Sequence, residues 1–306
     1  MTNTQRLSCE RLTVKQGRES QKRVNGIYTW VDEKGLTHFS DTASADAKGE
    51  LTQYTEPKYS FELEINSIAT NPPPFFRNKL TATMQQIDAV YRQYLPKREL
   101  QPIKIDLTLA GNLHSYDKLR MKYSNLAAAS QGFYSSRHNL AVVWHKSDPQ
   151  AFKTSIHEAV HVMNSGQFGH TQRWFNEGLA EYFESPSYLM SLDKKVRYEL
   201  VTKRQLRSAI KQSSKFSLMT LDNLLTASGN DWAGNKRNSL YLHSQHFIAF
   251  LMSGQKGRAI LAALFHDFSR NRCQNKTPET TLANYSGGLD QLNRDWQRWQ
   301  KSQQHK

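Results

Sequence analysis

His157-Glu158-Ala159-Val160-His161 is followed, after fifteen intervening residues (162–176), by Glu177 within Arg173-Trp174-Phe175-Asn176-Glu177-Gly178-Leu179-Ala180-Glu181-Tyr182. The first stretch has the form H-E-x-x-H. Its flanks, AFKTSI before and VMNSG after, are free of proline and suit a helix. Side chains four apart lie on one helical face, so both imidazoles can reach a single ion. Neutral imidazole binds zinc at about 2.0–2.1 Å, and a carboxylate beside the bound water can take its proton. His157 and His161 are therefore candidate ligands, and Glu158 is the candidate general base.

The second stretch is again helical in pattern, with Phe175, Leu179, Tyr182 and Phe183 on one side. Gly166 and Gly169 mark a turn in the gap. Two antiparallel helices joined there would bring Glu177 back over the histidine face. Three protein ligands with one open position make a catalytic zinc site, whereas structural sites close with four. Zinc is the expected cofactor, although other divalent ions can occupy such a donor set. The bland alternative is two ordinary helix histidines beside an unrelated glutamate.

Together, H-E-x-x-H and N-E-G-x-A-E-Y resemble the gluzincin metallopeptidases, and more closely the bacterial peptidase MA-like families. The resemblance runs from about residue 100 to the C-terminus. It implies an α+β, zincin-like domain, a small sheet with active-site helices and then a helical C-terminal part. It also implies zinc-dependent hydrolysis of amide bonds in a peptide or protein substrate. On that pattern Glu177 is the third ligand, and Glu181, one turn later, hydrogen-bonds a ligand histidine. Ser239-Leu240-Tyr241-Leu242-His243-Ser244 resembles the families' Y-x-x-S helix start, which makes Tyr241 the candidate oxyanion stabiliser, with His243 and His246 as alternates. Gly132-Phe133-Tyr134 and the strand Asn139 to Trp144 resemble the strand above the metal. Its apolar residues would equally suit plain sheet core.

Outward from the motifs, Asn71-Pro72-Pro73-Pro74 is the clearest boundary, because consecutive prolines favour a stiff, extended segment. A helix is expected over Lys79 to Leu95, a strand over Ile103 to Leu109, and a second helix from about 113 to 129. Beyond residue 150 the chain reads as mostly helical, and strands followed by helices is the α+β order. Leu289, Leu292, Trp296 and Trp299 form a helical stripe, expected as a packed capping helix, with a membrane-surface helix as the alternative.

Upstream, NGIYTWVDEKGLTHFSD carries two β-prone runs around Asp32-Glu33-Lys34-Gly35, a hairpin signal. It resembles a small domain of unknown function, with a Y-x-W-x-D-x-x-G pattern, seen in proteobacterial envelope proteins. The expected organisation is a disordered tail (1–23), a small β-rich module (24–56), a Pro-rich linker (57–76) and a metallopeptidase domain (77–306).

The first two dozen residues are polar and lack an apolar core, so no signal peptide is visible. The resemblance to envelope proteins nevertheless implies a periplasmic or exported location. Cys9 and Cys273 lack metal or redox spacing, and no disulfide framework follows. The net charge of +14 is spread along the chain, which suits anionic cell-envelope components as further partners. Charge alone does not support a nucleic-acid partner, and none is expected. No run approaches the roughly 18 apolar residues of a membrane span. An envelope-associated binding protein on the same scaffold, without turnover, is the alternative function.

Overall fold

The computed structural model describes residues 27–31, 37–40, 50–52, 60–124, 130–185, 217–272, 274 and 277–304. The expectations for the tail, for the turn at 32–35 and for the two cysteines fall outside them. Among the described residues the architecture is mixed α and β, with two sheets.

The first sheet orders as β2-β1-β3. Strands β1 (Ile27–Val31) and β2 (Thr37–Ser40) form the antiparallel hairpin that the sequence suggested, with Trp30 opposite His38. Strand β3 (Glu50–Thr52), not anticipated, pairs antiparallel with the other side of β1. A third strand supplies the support that a lone hairpin lacks in water.

The second sheet orders as β4-β5-β7-β6. Residues 61–68 fall within the expected Pro-rich linker (57–76), but they form strand β4 (Phe61–Ile68), parallel to β5 (Ile103–Ala110) along their whole length. The cause is a period-two pattern, in which Phe61, Leu63 and Ile65 alternate with Glu62, Glu64 and Asn66. Strand β7 (Leu140–Trp144) runs parallel to β5, and the short β6 (Gly132–Ser135) adds antiparallel at the edge.

Helix α1 (Pro74–Tyr94) begins five residues before the expected start, with Pro74 in its first turn. Proline there loses no hydrogen bond, since the first N–H groups have no helical partner. It buries Phe76, Leu80, Met84, Ile87 and Tyr91. Helix α2 (Leu113–Tyr123) is capped by Asn112, whose side chain accepts from Ser115 N at 2.8 Å.

Helix α3 (Asp148–Phe168) carries the H-E-x-x-H residues and packs against β5, β6, β7 and α1. His145, just past β7, ties its start in place: Nδ1 lies 2.6 Å from Thr70 Oγ1 and Nε2 2.7 Å from Asp148 Oδ1. The expected turn at Gly166 and Gly169 narrows to Gly169. Gly166 is buried inside the last helical turn, and Gly169, at φ 72°, ends the helix in a conformation that favours glycine.

Helix α4 (Arg173–Glu184) then returns over α3. The short α5 (Leu221–Leu225) and α6 (Gly229–Ala233) precede α7 (Arg237–Ser253) and α8 (Gln255–Arg270). A single turn, α9 (Glu279–Leu282), leads to α10 (Gly288–Gln304). The last helix packs through Leu292 and Trp296, both fully buried, and Trp296 donates its indole N–H to Met219 O at 2.9 Å. That is the capping role expected of the tryptophan stripe. Among the described residues no single helix is long and apolar enough to cross a membrane; α7 and α8 pass by length and composition only as a pair, bent by 113°.

Candidate metal centre

The return of α4 over α3 brings His157, His161 and Glu177 together. His157 Nε2 and His161 Nε2 stand 3.0 Å apart, and Glu177 Oε2 lies 3.5 Å from the first and 3.4 Å from the second. Bonds of about 2.0–2.1 Å at tetrahedral angles put zinc donors about 3.3–3.4 Å apart. The three atoms therefore have the spacing of one face of such a site. Glu177 Oε2 is buried and accepts no hydrogen bond. A buried, unsatisfied carboxylate oxygen facing two imidazole nitrogens is a costly arrangement unless a cation completes it. On both counts the donor set fits zinc.

A buried hydrogen-bond chain fixes the tautomer of His161. Asn164 Nδ2 faces the main-chain carbonyl of Asn176 at 3.4 Å and its Oδ1 at 2.8 Å. A carbonyl only accepts, so the Asn164 atom is the amide NH2, and the Asn176 atom it meets is the oxygen. That oxygen also lies 3.1 Å from His161 Nδ1, which must then be the protonated nitrogen. In the neutral ring Nε2 then carries the lone pair, and it faces Glu177 and His157. Tyr91, reaching in from α1, donates to Asn164 Oδ1 at 2.5 Å and anchors the chain.

On the other histidine, Nδ1 of His157 faces two carboxylates. Glu184 Oε2 is 3.6 Å away and Glu181 Oε1 is 4.0 Å away. Glu184 is the closer and more buried, 8% exposed against 24%. Lys153 holds its other oxygen at 3.1 Å. Glu184 thus stands nearer His157 Nδ1 than Glu181, where the orienting carboxylate is expected. Asn176, Asn164 and Glu184 went unread in the sequence. The available signals were helical spacing alone: Asn164 is three residues past His161, and Glu184 seven past Glu177.

The electrostatics follow from this packing. Burial opposes protonation of His157 and His161, but the surrounding carboxylates outweigh it, and His157 is raised well above the usual imidazole range. Burial likewise opposes ionisation of Glu177, yet His161 and His157 hold it well below the ordinary carboxylate value. Burial lifts Glu158, against the pull of both histidines. Burial and the neighbouring Glu184 push Glu181 up to about 7.

Edge strand β6 closes over Glu158. A Cβ on Gly132 would sit 2.7 Å from Glu158 Oε1 and 2.6 Å from Thr154 Cγ2, so only glycine lets the strand come this near. The inner strand β7 is sheet core, with Ala141, Val142 and Val143 fully buried. Tyr241 reaches in from α7 and donates to Glu177 Oε1 at 3.2 Å. The alternates do not join the site. His243 Nε2 lies 3.0 Å from Ser217 O and its Nδ1 2.7 Å from Ser239 O, while His246 packs on Trp299.

Comparison with known families gives a match to a domain described as "Domain of unknown function (DUF4124)", over residues 25–60. It covers the three-stranded N-terminal sheet and stops before β4, so it touches none of the residues above. No curated protein matches the chain.

Proposed function

We propose that the chain is a zinc-dependent peptidase of the gluzincin, peptidase MA-like type. The observation that carries the reading is the trio of mutually facing donors, His157 Nε2, His161 Nε2 and Glu177 Oε2, with the carboxylate oxygen buried and unsatisfied. Zinc held by them would lower the pKa of a water to about 7 and polarise the substrate carbonyl.

The chain's own residues supply the rest. Glu158, with its proton affinity raised by burial, takes the proton of the attacking water and passes it to the leaving amine. Tyr241 offers a hydroxyl donor to the oxygen that gains negative charge. Asn176 and Glu184 hold the two imidazoles by their Nδ1 edges, so their Nε2 atoms stay aimed at one point. The outer side of β6, unpaired among the described residues, gives an extended peptide a backbone to pair with beside Glu158.

A binding protein on the same scaffold would have no use for a buried carboxylate beside the histidines, and the retention of Glu158 favours catalysis. On the same resemblance, the action belongs in the periplasm or outside the cell, on peptide or protein substrates at anionic envelope surfaces.

The test is incubation of the zinc-loaded protein with a degenerate peptide library, read by mass spectrometry. Cleavage that stops with a chelator and in Glu158→Gln supports the proposal. Undiminished cleavage by Glu158→Gln, or none by the wild type, removes it.

A further inference from the structure

Beside the three donors stands a group the proposed chemistry does not use. Arg173 lies one helical turn ahead of Glu177 on α4. Its Nε is 3.6 Å from Glu177 Oε1, and its Nη2 reaches Tyr241 OH at 3.5 Å, both long contacts. Its guanidinium is propped on the ring of buried Trp232, Cζ to centroid 4.9 Å, while 43% of the side chain stays exposed. A second guanidinium, of the exposed Arg237, lies 5.5 Å from the ring of Tyr241. Trp232 and Tyr241 meet edge to face at 5.5 Å, so two aromatic faces carry two cations at the rim of the site.

Aromatic faces hold a guanidinium in place without neutralising it. Among the described residues, Asp231 pairs with Lys236 at 2.8 Å, and Glu177 faces the histidines as well as Arg173. When Glu177 holds a divalent cation, much of its charge is spent there, and the half-exposed guanidinium 3.6 Å away is open to a second anion. On the peptidase reading, the molecule that enters beside Glu177 is a peptide, and the anion a peptide brings is a carboxylate. Its planar fork is matched by arginine's parallel donors.

We propose that Arg173, with Arg237 beside it, selects peptides that carry a carboxylate next to the bond cleaved, from the chain's C-terminus or from an acidic side chain. The proposal rests on the peptidase reading.

The test measures binding to the zinc-loaded full chain by calorimetry, with metal-directed hydroxamates as probes. One pair is the monohydroxamate of 2-benzylsuccinic acid, with its other end a free carboxylate or an amide. The other pair is amide-ended, with a 2-carboxyethyl or 2-carbamoylethyl group in place of benzyl. The expected result is that an acidic member binds about tenfold tighter than its uncharged twin. In Arg173→Gln that preference disappears while the uncharged twin binds as before, and Arg173→Lys restores part of it. The pair that discriminates identifies the C-terminus or the side chain as the source.

A preference missing from both pairs, or surviving in Arg173→Gln, overturns the proposal and leaves the zinc site standing. So does an equal loss for charged and uncharged probes, which would make Arg173 a support for Glu177 and Tyr241. A wild-type protein that keeps no zinc and binds no hydroxamate removes the peptidase reading, and this proposal with it.

Discussion

At the scale of single residues, the site divides into atoms that face the shared point and atoms that hold them there. Glu158→Gln keeps the shape of the side chain and removes the base. It should lower the cleavage rate by about 10²–10⁴-fold with zinc content unchanged, read by steady-state kinetics and metal analysis together. Asn176→Ala removes the acceptor for His161 Nδ1, and zinc affinity should fall by about 10–100-fold in a competition titration with a chelator. Glu184→Gln should weaken zinc more than Glu181→Gln, because Glu184 lies nearer His157 and is the more buried. The opposite order would return the orienting role to Glu181. The meeting of His157, His161 and Glu177 was legible because a shared ion would demand that spacing on adjacent helices. Glu181 and Glu184 were not separable in advance, since positions four and seven past Glu177 share a helical face and burial alone decides between them.

At the scale of elements, the site depends on how closely α4 can approach α3 on one side and α7 on the other. Gly178 is the point of closest approach to α7. A Cβ there would lie 2.8 Å from Ser244 O and 2.9 Å from Ile248 Cγ1. Gly178→Ala should therefore cost about 1–3 kcal/mol of stability by overpacking, measured as a lower urea midpoint with an unchanged slope. Helix α4 follows from the sequence by its apolar stripe. Two other elements were harder to read. Strand β4 hid behind the Pro-rich boundary that follows it, and its alternation of apolar and acidic residues was the signal that outweighed the prolines. The place of Gly166 inside α3 was equally obscure, because a buried glycine and a turn glycine look alike in sequence.

At the scale of the whole molecule, α7 and α10 pack in the same core as α3 and α4, and His246 makes that packing sensitive to acid. Burial, reinforced by the neighbouring His243, holds the His246 imidazole down at about 4. In the unfolded chain it titrates near 6.5, so the unfolded state takes the proton first as pH falls. Its contribution is fully present above about pH 6.5 and is lost progressively towards pH 4, by about 3 kcal/mol at most. The wild type should accordingly lose more stability than His246→Gln between pH 7 and 4.5. Equal losses in urea titrations at the two pH values would contradict this. The coarse arrangement, strands before helices with a capping tryptophan helix, was legible from periodicity. The mixed sheet was not, because pairing partners are set by tertiary contact rather than by local pattern.

The central claim is that His157, His161 and Glu177 hold one catalytic zinc ion. Metal content by plasma mass spectrometry, on protein supplied with zinc and then freed of excess, tests it most directly. The account predicts about one zinc per chain in the wild type and in Glu158→Gln, and a loss of that zinc in His157→Ala and Glu177→Ala. A wild-type protein without zinc, or a Glu177→Ala protein that retains the full amount, would contradict it.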